Sequence, residues 1–167
     1  MSPDQLAIYN EIARTRTTGV AGPFGPWLAN PRIARPAQEL GRVCRYETTL
    51  SSRQSEMAIL MTARHHTCPT EWTIHLKEAR RAGLEESIIE SLELQDPIPS
   101  FTNRQTQEED QAIFSFTSEL LASTSVSDET YAKAKEILGV KKLVELTSII
   151  GYYTYVAMTL NVFQIKP

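Results

Sequence analysis

Cysteine is scarce in this chain. Cys44 and Cys68 are the only two among 167 residues, too few for a disulfide framework, so a fold stapled by disulfides is excluded and a reducing setting is expected. Positive charge is not in excess either. Lys and Arg number 17 against 20 Asp and Glu, a net charge of −3, which argues against a nucleic-acid partner. Strand-type alternation of Val, Ile and Thr is sustained nowhere. The opening Met1-Ser2-Pro3-Asp4-Gln5 is polar and acidic, without the basic and apolar regions of a secretory leader. A cytoplasmic location is the expectation.

What is present is helical periodicity. Leu6, Ile8, Tyr9, Ile12 and Ala13 make a near-helical stripe over Asp4 to Arg14. The segment from Gly19 to Trp27 is too dense in Gly and Pro for a regular helix, and burial of Phe24 and Trp27 is expected to pin it. Pro31 opens a helix after Asn30 that runs towards Tyr46. Ser51 and Gln54 have the spacing of a capping box for a helix through Met57, Ile59, Leu60 and Met61. Thr67 or Cys68 caps the next helix, Pro69 lies in its first turn, and Gly83 ends it. A short helix begins around Leu84 to Ser87, and Gln95 to Ser100 reads as a linker. Beyond it, Gln105 to Ala122 is helical, Asp128 caps a helix ending at Gly139, and a long apolar helix follows from Lys141. The fold class is therefore all-α: one domain over residues 1–167, with helical halves of about 1–95 and 101–167.

Leu143 to Phe163 is long and apolar enough to suggest a membrane span. It contains Glu145, Thr147, Ser148, Thr154, Thr159 and Asn161, and its tyrosines sit mid-run instead of at the ends. The pattern predicts a buried C-terminal helix at the centre of an all-α core or an oligomer interface, and no membrane.

Chemistry concentrates in Cys68-Pro69-Thr70-Glu71-Trp72-Thr73-Ile74-His75. In a helix, Cys68, Glu71, Trp72 and His75 fall at i, i+3, i+4 and i+7 and share one face. A thiol, a carboxylate and an imidazole together are a proton-transfer inventory. At a helix N-terminus Cys68 should ionise more easily than a free cysteine, unless it is merely a buried small hydrophobe. Glu71, one turn before His75, could fix the imidazole tautomer and raise its pKa, or could simply be a solvated surface carboxylate. Glu56 sits among apolar neighbours on the preceding helix, where its charge needs a partner unless it faces solvent. His65, His66, Cys68 and His75 match no standard zinc spacing, so no metal site is expected. Glu71 occupies the place a Cys-x-x-Cys motif would give its second cysteine, which excludes a dithiol here.

These residues resemble the carboxymuconolactone decarboxylase family, which includes the alkylhydroperoxidase D-like proteins. The likeness rests on Ser55-Glu56-Met57-Ala58-Ile59-Leu60, on Cys68-x-x-Glu71-Trp72-x-x-His75, and on Ala79-x-x-Ala82-Gly83-Leu84. The loop around Gly22-Pro23-Phe24 and the tail from Leu146 to Phe163, with Gly151-Tyr152-Tyr153, support it. The resemblance implies an alkylhydroperoxidase D-like helical bundle assembled as a trimer or hexamer, with no metal or organic cofactor. Against the peroxidase branch, the relay Glu falls on Glu56, the first Cys on Cys68 and the His on His75. The second Cys falls on Glu71, so dithiol turnover is not implied. The Glu-Trp-x-x-His form is that of the decarboxylase-like branch.

That branch implies a cofactor-independent carboxy-lyase, or related lyase or isomerase, acting on a small carboxylated lactone or cyclic acid, as in aromatic-compound catabolism. In it His75 would be the general acid/base, oriented by Glu71, with Glu56 as a second relay member and Cys68 as a polar lining or proton donor of the catalytic set. Phe24, Trp27 and Trp72 would form the apolar wall of the substrate site. The alternative is a single-cysteine peroxidase-like protein working through Cys68.

Overall fold

The computed structural model describes residues 1–15, 19–94 and 99–167. Among them no strand occurs, and the helices run α1 (Pro3–Thr15), α2 (Phe24–Leu28), α3 (Pro31–Tyr46), α4 (Ser52–His65), α5 (Pro69–Arg81), α6 (Glu86–Leu94), α7 (Gln107–Ser123) and α8 (Asp128–Val162). Residues 95–98 of the expected linker lie outside the described set; Pro99 and Ser100 are irregular.

The centre of the molecule is α4. Every residue from Gln54 to Ala63 is buried, so this helix is enclosed all round, by α5, α6, α7 and α8. Met57, Ile59 and Leu60 are almost fully out of water, each worth about 1.5–3 kcal/mol of transfer energy. Its start is the expected capping box: Gln54 N–H donates to Ser51 Oγ at 3.2 Å, and Ser51 N–H donates to Gln54 Oε1 at 3.1 Å. Its end is a Schellman turn in which Cys68 N–H reaches Ala63 O at 2.9 Å and Thr67 N–H reaches Arg64 O at 3.1 Å. Thr67 takes the left-handed position (φ 48°), an uncommon conformation for a β-branched residue. The chain thereby reverses within three residues, and α5 starts at Pro69 with Cys68 as its N-cap position.

α5 ends as read from Gly83, whose φ of 80° closes a second Schellman turn, with Leu84 N–H to Ala79 O at 2.9 Å. In α8 the helix breaks at Gly139 (φ 75°, ψ 162°), so the expected division into a capped helix and a long apolar one is present in the backbone. Its N-cap is Ser127, whose Oγ accepts from Thr130 N–H, and not Asp128. By length and composition α8 could cross a membrane. Its inner side instead packs on α4 and α7, with Leu146, Ile149, Tyr153, Val156 and Leu160 buried, while Val144, Met158 and Val162 are exposed.

One expectation needs correcting. The Gly/Pro-rich segment ends in helix: Phe24 to Leu28 form the short α2. Pro23 stands before the first turn and Pro26 within it, where a missing N–H costs no hydrogen bond, which is why proline density did not forbid helix here. Burial of Phe24 and Trp27 does pin the segment, as expected: Trp27 Nε1 donates to Thr159 Oγ1 at 3.1 Å and the indole stacks on Tyr155.

Candidate active site

The reversal between α4 and α5 lays two antiparallel helices side by side and brings together residues 19 apart in sequence. His75 Nδ1 meets Glu56 Oε2 at 2.7 Å. On the other side of the ring, Nε2 lies 3.4 Å from Glu71 Oε1, one turn earlier on α5. All three residues are buried, so a histidine is held between two carboxylates inside the protein. An isolated buried charge would be expensive; an imidazolium hydrogen-bonded to Glu56 and ion-paired with Glu71 is the arrangement that offsets the cost. Burial is the largest single influence on His75 and works against its charge. The hydrogen bonds and charges of Glu56 and Glu71 together outweigh it and raise its pKa above the ordinary histidine value.

Tyr153 of α8 closes the set. Its ring meets the imidazole edge to face with centroids 4.9 Å apart, and its hydroxyl lies against the Arg45 guanidinium at the end of α3. Burial pushes the Tyr153 hydroxyl pKa well above the tyrosine range, so it stays protonated. Two ties hold α8 and the tail on the α4–α5 corner: Asn161 Nδ2 donates to His66 O at 2.9 Å, and Thr70 Oγ1 donates to Ile165 O at 2.6 Å.

A cavity of about 190 Å³ opens beside this group, smaller than the roughly 300–1,000 Å³ of sites for drug-sized ligands. Phe24, Ile74, Val156 and Leu160 give it an apolar wall, and Glu71, His75, Tyr153 and Arg45 supply its chemistry. Glu71 Oε2 is fully buried and has no hydrogen-bond partner among the described residues. A buried carboxylate oxygen left in that state on a cavity wall is a group awaiting a donor. Glu56 lies on the far side of the imidazole, where it lines a second cavity together with Ser52, Ser55 and Arg81.

The structure therefore unites Glu56, Glu71 and His75, and it places Phe24 on the cavity wall. It does not bring Cys68, Trp27 or Trp72 to that wall. Cys68 is 2% exposed, and burial, with a smaller push from the Glu71 charge, raises its thiol pKa although the amides of Thr70 and Glu71 pull the other way. The expectation of an easily ionised thiol is thus corrected: the helix N-terminus is real, but the loss of water outweighs it. Trp27 is buried behind Phe24 against α8, and Trp72 is half-buried against the core. His65 and His66 meet edge to face, and His66 Nε2 contacts Thr154 Oγ1 at 3.0 Å. Among the described residues no group of three or more His, Cys, Asp or Glu is placed to hold a metal ion.

Sequence reasoning missed Arg45 and Tyr153 as site residues. Tyr153 carried a signal, a tyrosine placed mid-run in an apolar helix, whereas Arg45 at the end of α3 had none.

This all-helical chain with its long C-terminal helix has an alkylhydroperoxidase D-like fold, by likeness to a solved structure. A solved structure that shares it is a protein of unknown function from Agrobacterium tumefaciens, suggested to be an antioxidant defence protein, AhpD. The two align with a TM-score of 0.72 over 87% of this chain and 97% of that one, at 18% sequence identity. No protein-family model matches the chain, and no curated protein sequence matches it. The likeness is one of fold.

Proposed function

We propose that this protein is a cofactor-independent acid/base enzyme, of carboxymuconolactone decarboxylase-like type, that acts on a small carboxylated lactone or cyclic acid. The observation that carries the reading is His75 held between Glu56 and Glu71 at the wall of a small, mostly apolar cavity. Loss of CO₂ from such a substrate breaks a carbon–carbon bond and sends its electron pair into the conjugated carbonyl. The resulting enolate then takes a proton at carbon. Glu71, with His75 behind it and Glu56 behind that, is a chain able to carry that proton from the second cavity to the first. The apolar wall keeps water from competing.

Nothing in the geometry favours the single-cysteine peroxidase alternative, because a buried thiol with a raised pKa is a poor nucleophile. The deciding assay measures CO₂ released from a panel of carboxylated, unsaturated lactones. Release by the wild type and its loss by 100-fold or more, an order of magnitude typical of a missing general acid/base, in a folded His75→Gln variant is the expected result. Full activity in that variant would remove the proposal.

A further inference from the structure

Two groups on the cavity wall have hydrogen-bonding capacity that the protein itself leaves unused, and they are of opposite kind. One is the acceptor Glu71 Oε2, fully buried and without a partner among the described residues. The other is the Arg45 guanidinium. Its nearest carboxylate is Glu78, at 3.9 Å, beyond hydrogen-bonding distance, and Glu78 is already engaged by Arg81 at 2.7 Å. Arg45 donates to the Tyr153 hydroxyl and lies over the Tyr46 ring, which fixes the side chain and still leaves most of its five donors open to a ligand. It is the only Lys or Arg on this wall among the described residues.

A ligand that engages both groups presents an acceptor oxygen to Arg45 and a hydrogen to Glu71. A carbonyl compound with an acidic C–H has that pair of features. We propose that Arg45 is the enolate-holding residue of the cavity, and that the ligand class is a small unsaturated carbonyl compound set with its oxygen on Arg45 and its acidic carbon facing Glu71. The inference rests on the acid/base reading of the site but not on decarboxylation. Arg45 belongs on the carbonyl oxygen and not on a departing carboxylate. A cation on a leaving CO₂⁻ stabilises the ground state more than the transition state, because charge is leaving that group, whereas charge arrives on the carbonyl oxygen.

The same arrangement supports a redox-neutral proton transfer that needs no carboxylate at all. Glu71 removes a proton from the carbon next to the carbonyl. The C–H electron pair forms a C=C bond as the carbonyl pair moves onto oxygen, giving a dienolate on Arg45. The proton held by Glu71 then returns to the far end of the conjugated system, so the double bond shifts and nothing is gained or lost. α-Angelica lactone, converted in this way to the conjugated β-isomer, is a probe of suitable size with an ultraviolet signal.

The experiment follows that isomerisation with the full-length protein, and in D₂O by NMR. The wild type is expected to catalyse it and to place deuterium in the product. Arg45→Gln should lose about 100-fold in kcat with little change in KM, the range seen when one oxyanion donor is removed, and Arg45→Lys should recover part of the loss. Circular dichroism and urea midpoints confirm that each variant is folded. No isomerisation by the wild type, or full activity in Arg45→Gln, overturns the assignment. Isomerisation without CO₂ release from any carboxylated lactone would keep Arg45 in this role and remove the carboxy-lyase reading. CO₂ release that survives Arg45→Gln would remove this inference and leave that reading standing.

Discussion

Glu56 Oε2 and His75 Nδ1 meet at 2.7 Å inside the core, a shorter contact than the 3.4 Å between His75 Nε2 and Glu71. The carboxylate from the neighbouring helix, not the one on the same helix, is therefore the tighter partner of the ring. It fixes Nδ1 as the protonated nitrogen and leaves Nε2 to exchange its proton with Glu71. Glu56→Gln keeps the shape and removes the charge. His75 should then titrate at lower pH, and turnover of any substrate of the site should fall by about 100-fold, within the usual range for acid/base machinery. Imidazole NMR titration of the two proteins checks the first effect; an unchanged His75 titration would show that Glu56 does not govern the ring.

Stability should depend on pH through the same histidine. The folded-state pKa of His75 is raised, so its contribution is fully present below the unfolded value of 6.5 and is lost as pH rises through the higher folded value. The stability difference between wild type and His75→Gln should thus shrink on the alkaline side. Urea midpoints of both proteins at several pH values from about 6 to about 9 measure it. A wild-type advantage that grew with pH would mean that His75 is held neutral.

Neither cysteine should behave as a reactive thiol. Cys44 and Cys68 are buried, and burial pushes the Cys44 pKa up to about 11 and that of Cys68 in the same direction. A thiol reagent such as DTNB should label the native protein slowly and the urea-unfolded protein at once. Cys68→Ala should stay within about threefold of wild-type turnover, since the residue does not line the cavity. Rapid native labelling at Cys68, or peroxide consumption that disappears in Cys68→Ala, would restore the redox alternative.

The thiol shows where sequence reasoning reaches its limit. Helix ends are local matters, so the Ser51–Gln54 capping box, the Gly83 turn and the break at Gly139 were legible from a few residues each. The shared face of Glu71 and His75 was legible for the same reason. For Cys68 the sequence left an ionisable thiol and a buried small hydrophobe both open, because its ionisation depends on exclusion of water by distant segments, which no local spacing reports. Arg45 was invisible because it reaches the site from the end of α3 to touch Tyr153 of α8, a contact between residues far apart in the chain. Glu56 lay between these cases: its apolar neighbours showed that it needed a partner, and the resemblance, not the spacing, pointed to His75.

The cavity wall formed by Tyr152 depends on the absence of a side chain at Gly41. A Cβ on Gly41 would lie 2.1 Å from Tyr152 Oη and 2.3 Å from Cζ, so the Tyr152 ring can rest against α3 in this position only with glycine there. Replacing a mid-helix glycine by alanine ordinarily stabilises by about 0.5–1 kcal/mol. Here the overlap should cost about 1–3 kcal/mol, as overpacking of a core does, and should win. Gly41→Ala is expected to lower the urea midpoint and, by displacing a wall residue, to reduce turnover. In a Tyr152→Leu background the ring is gone and only the propensity gain remains, so the same substitution should become neutral or stabilising. A double-mutant cycle measures that coupling directly, and an equal cost of Gly41→Ala in both backgrounds would show that the tyrosine is not what the glycine accommodates.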